Sequence, residues 1–218
     1  MKTNQQLQRD VIEELQWEPS IDAAQIGVTA EDGVVTLTGH VPVYAHKFTV
    51  ENVAKRVHGV KAVANEIQVR VPGNARHTDE AITAAALQAL KWDAAVPEDR
   101  LQVTVRDGWI ILEGTLDWQY QREAADRAVR NLIGAQGFTN SILVKPKDHS
   151  REIKTDIESA LRRHAYLDSG QIQVDEDGGS VTLLGDVHSC LEREEAERLA
   201  WAAPGVRRVQ NRLEVTPW

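Results

Sequence analysis

Apolar residues recur along this chain in two alternating rhythms. Leu7, Val11 and Leu15 fall at helical spacing, and Ile153, Ile157 and Leu161 repeat the pattern near the other end. After each helix the rhythm changes to every second residue, as at Ile26 and Val28 and again at Ile172 and Val174, which predicts half-buried strands. Asp32-Gly33 and Asp107-Gly108 each precede another such strand, for example Val35 and Leu37 inward. Asp and Gly tolerate the positive φ of a tight hairpin turn. The last third carries Asp177-Gly178-Gly179 instead, which predicts a longer turn. A second helix with a stripe of small residues follows: Val50, Val53, Ala54 and Val57, then Ala125, Ala128, Val129 and Leu132, then Ala196, Leu199, Ala200 and Ala203. Ser189 and Glu192 make a capping box for the third of these helices, and Asp117 is placed to cap the second. Gly59, Gly134 and Gly205 are expected to end them in the left-handed conformation.

The pattern is one unit written three times. "EDGVVTLTG" at 31–39 returns as "RDGWIILEG" at 106–114 and as "DGGSVTLLG" at 177–185. Without a gap inside any unit, Gly33, Gly108 and Gly179 superpose, as do Gly39, Gly114 and Gly185, then Gly59, Gly134 and Gly205, and finally Asn65, Asn140 and Asn211. The units span 1–71, 82–146 and 153–218, joined by short polar linkers at 72–81 and 147–152. A closing strand ends each: "AVANEIQVRV", "GFTNSILVKP" and "RVQNRLEVTP". The predicted fold class is α+β: three tandem α-β-β-α-β modules, each a three-stranded mixed sheet with two helices on one face and the second helix as crossover.

The run "DG-V-V-T-L-T-G-H-V", the alanine-rich helix and "GV-K-A-V-A-N-E-I-Q-V" together resemble the BON domain, a small α-β-β-α-β module of bacterial osmotically inducible and nodulation proteins. All three units carry the resemblance; the second departs from it at Ala135, where the family usually has Val. The resemblance implies osmotic-stress or envelope roles, with contact to phospholipid, membrane surface or protein. It also keeps cations in view, since some relatives that pair this module with another domain bind potassium. The family's usual setting is periplasmic.

Composition narrows the partners. The chain has 218 residues, 42% of them hydrophobic, and a formal net charge of −8. That balance argues against a nucleic-acid partner, whose phosphates need a basic face, and against adhesion to anionic lipid by charge alone. "MKTNQQLQRDVIEELQW" lacks the apolar run of a secretory signal, and no stretch approaches a membrane span. With one cysteine no intrachain disulfide forms. These features point to the cytoplasm, with a peripheral place at a membrane compatible with them.

Candidate chemistry is sparse. Cys190 follows His188 by two residues near a helix N-terminus, the ingredients of a nucleophile or a metal pair. The equivalent positions in the other units are Tyr44 and Gln119, and Pro42 and Asp117, and nothing supplies a third group. A surface cysteine without a role is the better expectation. His40, His46, His58, His77, His149 and His164 form no ligand pair. The acidic turns at 31–33, 98–100 and 175–179 lack the spacing of a calcium loop and are expected to be solvated tips. The repeated asparagine is expected to face the covered side of the sheet and to tether nearby backbone.

The middle unit stands apart. Its outward strand positions are Trp109, Ile111 and Glu113; Leu143 joins them, and Trp118 and Tyr120 follow. The first unit has Val34, Thr36 and Thr38 at the outward strand positions, and the third has Ser180, Thr182 and Leu184. Clustered exposed aromatics predict a contact, with a neighbouring unit, a second copy in a homo-oligomer, or an outside partner such as phospholipid. The expected protein is therefore a non-enzymatic binding or scaffold protein with no cofactor. A small-ligand or cation binder and a self-assembling structural protein are the alternatives.

Overall fold

The computed structural model describes residues 2–71, 77–146, 152–164, 167 and 169–216; the predicted linkers fall largely outside these, at 72–76 and 147–151. The first module runs α1 (Asn4–Trp17), β1 (Ile26–Glu31), β2 (Val34–Val41), α2 (Tyr44–Arg56), β3 (Ala62–Asn65) and β4 (Gln68–Val69). The second runs α3 (Asp79–Trp92), β5 (Leu101–Arg106), β6 (Trp109–Leu116), α4 (Gln119–Arg130) and β7 (Gly137–Val144). The third runs α5 (Ile153–Arg163), β8 (Ile172–Asp177), β9 (Ser180–Val187), α6 (Cys190–Ala202) and β10 (Arg208–Val215). The architecture is α+β, as the hydrophobic rhythm predicts.

In every module the hairpin is antiparallel and the closing strand runs parallel to its middle strand, so the second helix is the crossover. The closing strand of the first module is interrupted at Glu66 and Ile67, whereas β7 and β10 are continuous. The third hairpin is no longer than the others. Asp177 pairs with Ser180 across Gly178-Gly179, just as Glu31 pairs with Val34. Gly178 at φ 55° takes the place of Asp32 at 50° and Asp107 at 51°, so a second glycine substitutes for the aspartate rather than lengthening the loop.

Each module buries its own apolar cluster, in which Leu7, Val11 and Leu15, then Ile82, Ala86 and Leu90, then Ile153, Ile157 and Leu161 face the sheet. Burying each large aliphatic side chain contributes about 1.5–3 kcal/mol. The crossover helices end one turn earlier than the glycines: their C-caps are Val57, Asn131 and Ala203. Gly59, Gly134 and Gly205 sit in the following turn at φ between 91° and 100°. There each meets the hairpin glycine: a Cβ on Gly33, Gly108 or Gly179 would lie 2.7–3.2 Å from the carbonyl of Gly59, Gly134 or Gly205. The hairpin glycine carbonyl also accepts a hydrogen bond from Lys61, Gln136 or Arg207 at 2.8–2.9 Å. Asp117 does not cap α4; it pairs with Arg100 at 3.0 Å, and the Gln121 side chain accepts from the Trp118 N–H instead. Among the described residues no helix is long and apolar enough to cross a membrane.

Candidate functional site

The repeated asparagine occupies one geometry three times. The Asn65 side-chain amide donates to the Lys47 carbonyl at 3.2 Å and to Glu51 Oε2 at 3.0 Å, and its Oδ1 accepts from the Ile67 N–H at 3.2 Å. Asn140 does the same with the Arg122 carbonyl, Asp126 and Ile142, and Asn211 with the Arg193 carbonyl, Glu197 and Leu213. It ties the crossover helix to the closing strand. The acidic partner was missed in the sequence, although Glu51, Asp126 and Glu197 share one register and could have been found there.

Gly39, Gly114 and Gly185 bring the middle strand against the start of the first strand. A Cβ on any of them would run into the backbone carbonyl of Gln25, Arg100 or Gln171. These positions are structural.

The modules meet through their crossover helices, and the meetings follow one rule. The residue at the start of one crossover helix, and the one a turn later, press on the next module. Tyr44 packs edge-on against Phe138 with ring centroids 5.5 Å apart, and the Arg130 guanidinium lies 3.5 Å over the Phe48 ring. Their equivalents in the third module, Cys190 and Glu194, return to the first. The Cys190 sulfur donates to the carbonyls of Val60 and Lys61 at 3.4 and 3.2 Å, and Glu194 pairs with Lys55 at 2.8 Å. Between the second and third modules, Gln119 and Glu123 face Arg198 and Trp201 across a cavity of about 510 Å³ that Trp118 and Tyr120 also line. The modules therefore close head to tail into a ring with an approximate threefold rotation.

Cys190 is thus buried between modules, not a surface residue. Burial pushes its thiol above the ordinary range, with Arg193 pulling weakly the other way. A thiol held protonated is a poor nucleophile and a poor metal ligand. The His188 ring lies 3.3 Å from the Thr216 carbonyl. Among the described residues no group of three or more His, Cys, Asp or Glu side chains is placed to hold a metal. In the acidic turn at 175–179, Glu176 is committed to the Gly179 N–H at 2.8 Å.

The apolar residues of the middle module divide. Trp109 lies across Gly137 and donates its indole N–H to Thr139 at 2.9 Å, remaining 44% exposed. Ile111 is half-buried. Leu143 and Tyr120 stay exposed, while Trp118 is half-buried beside the third module. Two further tryptophans are more exposed than any of these: Trp17 at 85% and Trp92 at 79%. They occupy equivalent positions at the ends of α1 and α3. They lie off the inward stripe, and no periodicity marked them as surface features.

The BON domain model matches residues 3–71, 78–146 and 149–217. Osmotically-inducible protein Y of Escherichia coli K12 is 32% identical over 132 residues, a match spanning 58% of this chain and 65% of that protein. CdsD, a structural protein of the type III secretion system of Chlamydia trachomatis, aligns over 96% of this chain at 16% identity with a TM-score of 0.28; the C-terminal domain of CdsD gives the same values. Likeness that low carries no argument.

Proposed function

The chain belongs to the BON domain family, and on that premise we propose that it is a non-catalytic binding protein of osmotic or envelope stress, whose ring of modules docks on a phospholipid surface. Its similarity to Osmotically-inducible protein Y supports the stress setting. The observation that carries the surface reading is the pair Trp17 and Trp92. An indole held out in water from a helix end forgoes apolar burial that an interfacial position would return. The two stand at equivalent positions of their modules, with exposed Arg163 at the third equivalent position. Two indoles and a guanidinium suit the boundary between headgroups and acyl chains. The net charge of −8 means that apolar insertion, rather than charge, has to supply the affinity.

Flotation with phosphatidylglycerol–phosphatidylethanolamine vesicles tests this. The parent protein should float, and Trp17→Ser with Trp92→Ser should stay at the bottom with an unchanged circular dichroism spectrum. Equal flotation of both, or flotation of neither, removes the reading. Exposed Leu143 and Tyr120 favour self-association as a second reading, tested by light scattering against the 24.3 kDa monomer.

A further inference from the structure

Two junctions of the ring carry a cation at one shared helix position, and the third carries tryptophan there. Arg130 lies over Phe48 at the first, and Lys55 meets Glu194 at the junction that closes the ring. The equivalent pair at the junction of the second and third modules is Glu123 and Trp201: the acid matches Glu194 of the closing junction, and tryptophan stands where the others carry Arg or Lys. There the structure holds a cavity of about 510 Å³, within the range of about 300–1,000 Å³ typical of small-molecule sites.

Its walls are rich in acceptors. Trp118, Tyr120 and Trp201 contribute aromatic rings, and Glu123 contributes a carboxylate that accepts a long hydrogen bond from the Gln119 amide at 3.4 Å. The Gln119 Oε1 itself has no hydrogen-bond partner. Arg198 also borders the cavity and its charge acts on Glu123, but the hydrogen bonds of its guanidinium, 2.8 and 2.6 Å long, go to Glu195 and leave the Glu123 oxygens without a hydrogen bond from it. Aromatic faces attract a cation whose charge is spread over alkyl groups, because such an ion sheds water readily and matches the ring quadrupole. They cannot replace the oxygen shell of a small hard ion.

We propose that the cavity between Glu123 and Trp201 binds a small quaternary ammonium group, which takes the place filled by Arg130 and Lys55 at the other two junctions. The inference stands apart from the docking of Trp17 and Trp92 on lipid. The ammonium group belongs either to a free ion or to a zwitterionic headgroup.

The test is titration of the full chain with choline, followed by tryptophan fluorescence and calorimetry. Its uncharged carbon isostere 3,3-dimethylbutan-1-ol and potassium chloride serve as comparisons. Choline should saturate, and the isostere should bind about tenfold more weakly or worse. Glu123→Gln should weaken choline by a similar factor, and Trp201→Lys, which restores the internal cation, should abolish binding. Saturable binding of phosphatidylcholine vesicles displaced by choline identifies a headgroup site; choline binding without it identifies a free ion. No saturation by choline, equal binding of the isostere, or parent-like binding by both variants would overturn the proposal. Glu123→Gln removes only the charge of a half-buried carboxylate at nearly unchanged size and keeps the test valid if Trp201→Lys fails to fold.

Discussion

Asn65, Asn140 and Asn211 make the same three contacts in three modules, whereas the residues that meet between modules, Lys55, Arg130 and Trp201, share a register and little else. Inside a module one geometry satisfies a half-buried amide, and any other residue leaves donors and acceptors unpaired. At a junction several chemistries close the gap: a cation on an aromatic ring, an ion pair, or an open aromatic cavity. Copies of one module are therefore held alike within and are free to diverge where they touch.

The largest effects should come from the interior. Gly185→Ala places a Cβ against the Gln171 carbonyl at a φ of 117°, a conformation in which L residues are strained. It should cost about 3 kcal/mol and lower the melting temperature of the third module. A parent-like melting curve would mean that the strand crossing relaxes. Asn140→Ala comes next. It strips Asp126, the Arg122 carbonyl and the Ile142 N–H of their partner, and should cost about 1–3 kcal/mol by chemical denaturation.

The acids that pair with these asparagines set interior and junction against each other. Burial pushes the Glu51 carboxyl up, but hydrogen bonds from Lys55 and Asn65 outweigh it and bring it below its ordinary value. Burial pushes Asp126 up, and Asn140 and the nearby arginines fail to bring it back. A carboxyl depressed by folding contributes stability above its unfolded pKa and loses it as pH falls through the folded one. A carboxyl raised by folding does the reverse: its cost is present at neutral pH and disappears on acidification. Glu51→Gln should therefore lower the melting temperature at pH 7, and the loss should shrink as the pH falls below the ordinary carboxyl range. Asp126→Asn should leave it equal or higher at pH 7 and remove part of any gain on acidification. Parallel responses of the two variants would show that Lys55 does not reach Glu51 in solution.

The hairpins, the crossover helices and the asparagine register were legible in the sequence because each depends on spacing within one unit. Gly178 was read as lengthening its turn because the dipeptide rule looks for Asp-Gly, although two glycines supply the same positive φ. The ring was not legible. It rests on positions 44, 48 and 55 and their equivalents, where no residue type is common to all three copies, so repetition gives no signal. Cys190 looked like a surface residue because helix spacing places it at a crossover helix N-terminus, and only the first module covers it. Trp118 looked outward for the same reason.

The smallest effect tests whether the ring closes. Lys55 pairs with Glu51 in its own helix and with Glu194 of the third module, both at 2.8 Å. Lys55 is the more buried partner and Glu194 is half-exposed, so solvent screens the junction pair heavily. A double-mutant cycle of Lys55→Met with Glu194→Gln should give a coupling of about 0.5 kcal/mol at low salt. In 1 M salt the Debye length shrinks from about 10 Å to about 3 Å, and that coupling should fall toward zero while the cycle of Lys55→Met with Glu51→Gln keeps more of its value. A zero coupling at low salt would mean that the third module does not rest on the first. In that case Cys190 should also react with a thiol reagent as fast as an unfolded cysteine does.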